Sequence, residues 1–340
     1  MKKFISLIIA ATMIFGTFTA CGSSGSSSDT SASTENTQTS SNDDTISIVT
    51  TIFPEYDWVM SILGDNPANA EVKMLLDNGV DLHSYQPTAE DIMTISTCDL
   101  FIYVGGESDS WVDDALAQST NPDMVVINLL DVLGDSVKEE EVVEGMEAEE
   151  EEESADSDEE EVEYDEHVWL SLKNAAILVD SISSAIQEID ADNADTYSAN
   201  TTDYIAALND LDALYEEAVA AGSVSTLVFG DRFPFRYLVD DYGLSYYAAF
   251  VGCSAESEAS FETITFLAGK VDELSLNTVL TIEGTDHSIA ETIVENTTTK
   301  DQQILSMDSM QSTTSEDVAN GATYLSIMES NLEVLKEALN

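Results

Sequence analysis

The chain has 340 residues, 43% of them apolar and 8% aromatic, enough for about two domains with real cores, so it is not a disordered protein overall. Ten Lys and Arg against 67 Asp and Glu give a formal net charge of -57, a polyanion that nucleic acids and anionic lipid head groups repel. Three cysteines and three histidines exclude a disulfide scaffold, a zinc-finger array and an iron-sulfur protein, each of which needs more ligands than the chain owns.

Residues 1–20 read as an export signal: Lys2 and Lys3, an apolar stretch from Phe4 to Phe18, then small residues before Cys21. The segment Phe18-Thr19-Ala20-Cys21 resembles a bacterial lipobox with Phe18 in place of the usual leucine, which makes Cys21 the expected lipidation site; the alternative is a plain secretory signal. No later segment has the roughly 18 uninterrupted apolar residues of a membrane span, so the membrane is expected to be reached through the lipid anchor alone. Residues 21–45 are the anchor cysteine followed by Ser, Thr, Asn and Asp, too few large apolar groups to offset chain entropy, and are expected to form a flexible tether.

From residue 46 short β-branched runs alternate with helical patterns: ISIVT at 46–50, VKMLL at 72–76, LFIYVG at 100–105 and MVVIN at 124–128. Strands separated by helix-length segments predict a parallel sheet with crossover helices, an amino-terminal α/β lobe over 46–191. The pattern restarts with TLVFG at 226–230, LSYYAAF at 244–250, LNTVLTIE at 276–283 and QQILS at 302–306, closed by a helix near 317–338, which predicts a second α/β lobe over 223–340. Residues 175–221 hold neither Gly nor Pro, and Tyr197, Tyr204, Leu208, Leu211 and Tyr215 recur at spacings of seven, four, three and four. This predicts one long rigid helix over 192–222, roughly 45 Å at about 1.5 Å per residue, which bridges the lobes and limits their closure on a ligand. Gly222 is placed to end it.

In residues 139–166, 18 of 28 are Asp or Glu and none is Lys or Arg. Such dense like charge resists compaction, so a disordered loop inserted in the first lobe is expected, either a solvated spacer or a weak collector of divalent cations. Cys98 and Cys253 sit at apolar strand edges; one disulfide or two buried free thiols both suit an exported protein, and neither thiol is assigned a role.

His83, in GVDLHSYQPTAED, follows a strand and precedes a helix, the kind of turn at which open α/β sheets bind ligands. His167, in YDEHVWLSLKN, stands at the end of the acidic stretch before another helix. Two of only three histidines at equivalent positions suggest a shared ion. His287, in EGTDHSIAET, reads as a structural or exposed residue at a helix start, and Glu256 and Glu258 as a solvated loop.

TTIFPEYDWV, GVDLHSYQPT, LFIYVGGESDSWVDDAL, EHVWLSLKNA, YLVDDYGL and TYLSIMESNLEVLKEAL, in this order from about residue 48 to the end, resemble the metal-binding solute receptors of zinc and manganese ABC importers. The resemblance implies two α/β lobes bridged by a long helix, with one divalent ion in the cleft and His83 and His167 as its first two ligands. The family's third ligand, His or Glu, precedes a Phe-x-Tyr pattern matched by Phe235 and Tyr237, and an ungapped reading puts Arg232 there. A cation cannot ligate a cation, so either Asp231 substitutes after a one-residue shift or water fills the place. The family's fourth ligand, an Asp after the last strand, is matched by Asp308 in SMDSM; a turn cap is the alternative.

Two imidazoles with one or two carboxylates suit Zn(II) first and Mn(II) second, carried as cargo rather than as a cofactor. The reading is therefore a monomeric extracytoplasmic lipoprotein that captures the ion and passes it to an ABC permease and its ATPase, with no turnover chemistry and no nucleic-acid partner. A surface adhesin or structural lipoprotein with incidental histidines is the alternative, and a two-histidine zinc hydrolase the remoter one, since no HExxH helix or other hydrolase signature is present.

Overall fold

The computed structural model describes residues 45–147, 163–254, 258–284 and 286–340. Cys21, the signal segment and the tether lie outside the described residues, as do Glu256 and the middle of the acidic stretch.

The first lobe runs β1 (Ser47–Thr50), α1 (Phe53–Leu63), β2 (Glu71–Met74), α2 (Ala89–Ile95), β3 (Leu100–Tyr103), α3 (Val112–Leu116), β4 (Val125–Asn128) and α4 (Leu129–Leu133), followed by α5 (Leu172–Ile189). The second follows α6 (Ala194–Ala221) as β5 (Thr226–Phe233), α7 (Arg236–Tyr242), β6 (Ser245–Val251), α8 (Phe261–Leu274), β7 (Thr278–Ile282), α9 (Ser288–Asn296), β8 (Gln303–Met307), α10 (Ser315–Ala319) and α11 (Tyr324–Ala338). Each lobe holds a four-stranded parallel sheet, ordered β2-β1-β3-β4 and β6-β5-β7-β8. The two orders are equivalent, each reversing direction at its first strand, so both sheets carry a ligand-binding crevice at their strand carboxyl ends.

The strand runs read from the sequence all become strands, and the central ones bury on both faces: Val49, Leu100, Phe101, Ile102, Val228, Phe229, Val279 and Leu280 are almost wholly buried. One apolar core extends from the first sheet through α1, α5, α6 and α11 to one face of the second sheet, and a separate cluster under α8 and α9 covers that sheet's other face. The bridging helix is 28 residues long and buries Tyr197, Leu208, Leu211 and Tyr215, the predicted stripe, against α1, α5 and α11. It begins at Ala194 rather than 192, because the Asp190 carboxylate accepts hydrogen bonds from Asn193 Nδ2 (2.7 Å) and from the Tyr197 hydroxyl (2.6 Å) and closes the corner from α5. The closing helix is two pieces, α10 and α11, separated at Gly321, whose φ of +101° a helix cannot hold.

Buried hydrogen bonds from aromatic side chains tie segments distant in sequence. The Tyr324 hydroxyl donates to the Trp169 carbonyl (2.6 Å), Trp169 Nε1 donates to the Ser309 carbonyl (2.8 Å), and the Tyr237 hydroxyl donates to the Asp165 carbonyl (2.8 Å).

The acidic stretch departs from expectation at its ends. Glu139 bridges Tyr164, Glu140 N donates to the Glu163 carbonyl (3.0 Å), and Glu147 N donates to the Ala249 carbonyl (2.9 Å) beside β6. The ends of the stretch thus close on each other, and the first arm crosses to the second lobe. What fixes them is apolar as much as polar: Met146 is buried, and Gly145 packs so close to Phe266 that any side chain there would clash.

Candidate metal centre

His83 sits in a single turn of 3-10 helix, Leu82–Ser84, after β2. The Asp81 side chain caps this turn, accepting from His83 N (3.0 Å). His83 Nδ1 lies 2.7 Å from Ser108 Oγ and 3.5 Å from Glu166 Oε2. Glu166 is itself held by Ser108 N, which donates to its Oε1 (2.9 Å). This approach requires a glycine at 106, φ +82°, since a Cβ there would overlap the Glu166 carboxylate.

His167 stands ahead of a second 3-10 turn, Val168–Leu170, and its ring is fully buried. Asp165 Oδ1 accepts from both the backbone N and Nδ1 of His167, each at 2.9 Å, so the carboxylate fixes tautomer and ring orientation together.

With each Nδ1 turned to an oxygen, the two Nε2 atoms face each other 3.2 Å apart. Two unprotonated imidazole nitrogens at that distance repel unless a proton or a cation lies between them. Burial, and next the neighbouring imidazole, hold His83 down to about 3. At His167 burial acts in the same direction but is outweighed by Asp165 and Glu166, which leave it above the ordinary histidine value. Of the two rings His167 is the one that takes up a proton more readily, on the Nε2 that faces His83 and that a metal ion would bind.

The remaining residues singled out from the sequence are placed differently. Arg232, at the end of β5, turns its guanidinium to Asp81, forming an ion pair between the second lobe and the turn that carries His83. Asp231, its neighbour, accepts from Arg232 N (2.9 Å) and from Ile282 N on β7 (3.3 Å) and does not join the histidines. The one-residue shift therefore fails for a strand reason: adjacent side chains point to opposite faces, and Asp231 points along the sheet to β7. Asp308 caps its own turn, accepting from Met310 N (2.8 Å), and shares a cleft with Glu283 and Asp317; burial and then the Glu283 charge raise it to about 6. It too is not grouped with the histidines among the described residues, and the cap is the role its hydrogen bond shows. His287 precedes α9, far along the chain from the pair, and no metal-ligand group among the described residues includes it.

One group of three potential metal ligands occurs among the described residues: His83, His167 and Cys253, with their donor atoms all within 4.8 Å of one another. Both Cys98 and Cys253 are free thiols in this structure. Gly252 lets the end of β6 reach the site, since a Cβ there would stand 2.8 Å from His167 Cε1. The sequence reading passed over Cys253. The signal was its position directly beyond a strand carboxyl end, the same kind of position that marked the histidines.

Two parallel-sheet lobes joined by a long helix, with paired imidazoles at the strand carboxyl ends, define a solute-binding receptor rather than an enzyme. The chain belongs to the family described as the zinc-uptake complex component A, periplasmic, whose profile matches residues 48–338. It is 30% identical over 338 residues to the high-affinity zinc uptake system protein ZnuA of Bacillus subtilis (strain 168), covering 99% of this chain and 98% of that one. It is 28% identical over 295 residues to the zinc-binding lipoprotein AdcA of Streptococcus pneumoniae (strain ATCC BAA-255 / R6), covering 87% of this chain but only 56% of that protein, so it spans little more than half the length of this relative. The crystal structure of the Zn(II)-bound ZnuA-like domain of Streptococcus pneumoniae AdcA superposes with a TM-score of 0.67 at 27% identity, covering 87% of this chain and 99% of that one.

Proposed function

We propose that this protein captures a divalent transition metal, zinc first and manganese second, outside the cytoplasm and delivers it to an ABC permease for ATP-driven import. His83 and His167 are the first two ligands. The observation that carries the reading is the convergence of their Nε2 atoms at 3.2 Å with both Nδ1 atoms engaged elsewhere. Family membership and the zinc-binding relatives support it. The residues hold and desolvate an ion; the general base and open water position that hydrolysis needs are not required for this role. Cys21 anchors the chain to the membrane by lipidation, and the chain acts as a monomer.

Metal analysis and calorimetric titration test this. One zinc per chain is expected, with binding lost in His83→Ala and in His167→Ala; stoichiometric zinc retained in both variants would overturn it.

A further inference from the structure

Resting on the reading above, we propose that Cys253 is the third metal ligand, making this a two-histidine, one-thiolate site that selects zinc over manganese. The thiol follows β6 as His83 follows β2, so ligands from both lobes meet at strand carboxyl ends. Tetrahedral zinc with Zn–N of about 2.0–2.1 Å and Zn–S of about 2.3 Å sets N···N near about 3.3 Å and N···S near about 3.6 Å. The imidazoles already stand at 3.2 Å between Nε2 atoms, and the sulfur lies within 4.8 Å of a ring nitrogen of each, so a shift on the order of 1 Å brings the three donors to zinc distances.

A second observation points into the same space. Gln311, only 2% exposed, donates from Nε2 to Ser309 Oγ (3.1 Å) and meets the His83 imidazole with its side-chain amide, raising that ring's basicity as an accepting oxygen does. A neutral carbonyl oxygen beside two imidazoles and a thiol supplies a donor for the fourth position. The charged carboxylates expected there, Asp231 and Asp308, are engaged elsewhere.

Binding replaces the thiol proton by the metal: the S–H bond breaks, the metal–sulfur bond forms, and the proton passes to solvent. Thiolate is a soft donor that favours zinc and is a poor partner for Mn(II), which prefers oxygen and higher coordination. The site therefore discriminates between the two ions more sharply than two histidines with two carboxylates would.

Cobalt(II) substitution of the full, reduced chain tests this. Wild type is expected to show tetrahedral d–d bands together with a near-ultraviolet thiolate-to-cobalt charge-transfer band. Cys253→Ser and Cys253→Ala should lose that band and bind zinc at least about tenfold more weakly, while Cys98→Ala keeps both. Stoichiometric cobalt bound by wild type without the charge-transfer band, or a band unchanged in the Cys253 variants, would overturn the thiolate ligand and leave the histidine site standing. Loss of zinc binding in His83→Ala is the separate check on the histidines.

Discussion

Arg232, at the end of β5, forms an ion pair with Asp81, the residue whose other carboxylate oxygen caps the turn that presents His83. A cation from the second lobe thus holds a ligand-bearing turn of the first, and its charge also lowers the basicity of both imidazoles. Replacing Arg232 by Met removes a positive charge close to a bound dication and leaves Asp81 unneutralised beside it. Zinc affinity is expected to rise by on the order of 1 kcal/mol, about fivefold, with a smaller gain at high salt. Calorimetric titration at two ionic strengths measures this; weaker binding would show that the ion pair acts mainly by positioning the turn.

The pH dependence follows from the opposite displacements of the two histidines. His83 titrates near 3 and is neutral through the working range, whereas the His167 proton, held above the ordinary histidine value by Asp165, competes with the metal. Raising pH through the His167 pKa removes that competitor. Affinity should therefore climb about a hundredfold per pH unit below it, where His167 and the Cys253 thiol each release a proton, and about tenfold per unit above it, where only the thiol proton is lost, with the break higher than the 6.5 of a free imidazole. Asp165→Asn removes the charge that raises His167, so the break should move to lower pH. A break that stays in place in this variant would contradict the assignment.

Tyr324 is fully buried, and its hydroxyl donates to the Trp169 carbonyl two residues beyond His167. Tyr324→Phe leaves that carbonyl without its donor, which should cost about 1–3 kcal/mol in urea unfolding. Zinc affinity should fall much less, since the His167 ring is oriented by Asp165 rather than by this bond.

Removing residues 148–162 leaves both arms of the acidic stretch, including the Glu139–Tyr164 bridge and the Glu147–Ala249 hydrogen bond. The high-affinity zinc site should be unchanged and stability should shift by less than about 0.5 kcal/mol. Any additional weak zinc bound by carboxylates should disappear from the titration. Cutting further into the arms, by also removing Gly145 and Met146, is expected to destabilise the chain because Met146 is buried.

Much of this architecture was legible in the sequence. The central strand runs are buried on both faces and so read as continuous apolar stretches, and the absence of Gly and Pro marked the helices before the second lobe. His83 and His167 were legible because each lies in a turn between a recognisable motif and a helix. Asp231 was not, because a shift of one residue on a strand reverses the face and only the fold shows that Arg232 is drawn to Asp81. Asp308 matched the ligand position better than a turn cap in the sequence, and its bond from Met310 N is a feature that only the fold shows. Cys253 has no partner at a telling spacing, being brought to the histidines by the meeting of two sheets rather than by any local pattern.

The seat of the His167 ring is shaped by what its neighbours lack. Gly252 offers bare backbone to one edge of the imidazole, and Gly106 offers the same to the carboxylate beside His83. Alanine at 252 would press on a metal-binding ring, and alanine at 106 on the carboxylate that neighbours the other ring, with little disturbance of the hydrophobic interior. Mutational scanning should therefore find Gly252 intolerant for cargo retention yet permissive for folding, whereas Gly106, at a φ of +82°, adds a backbone cost of its own.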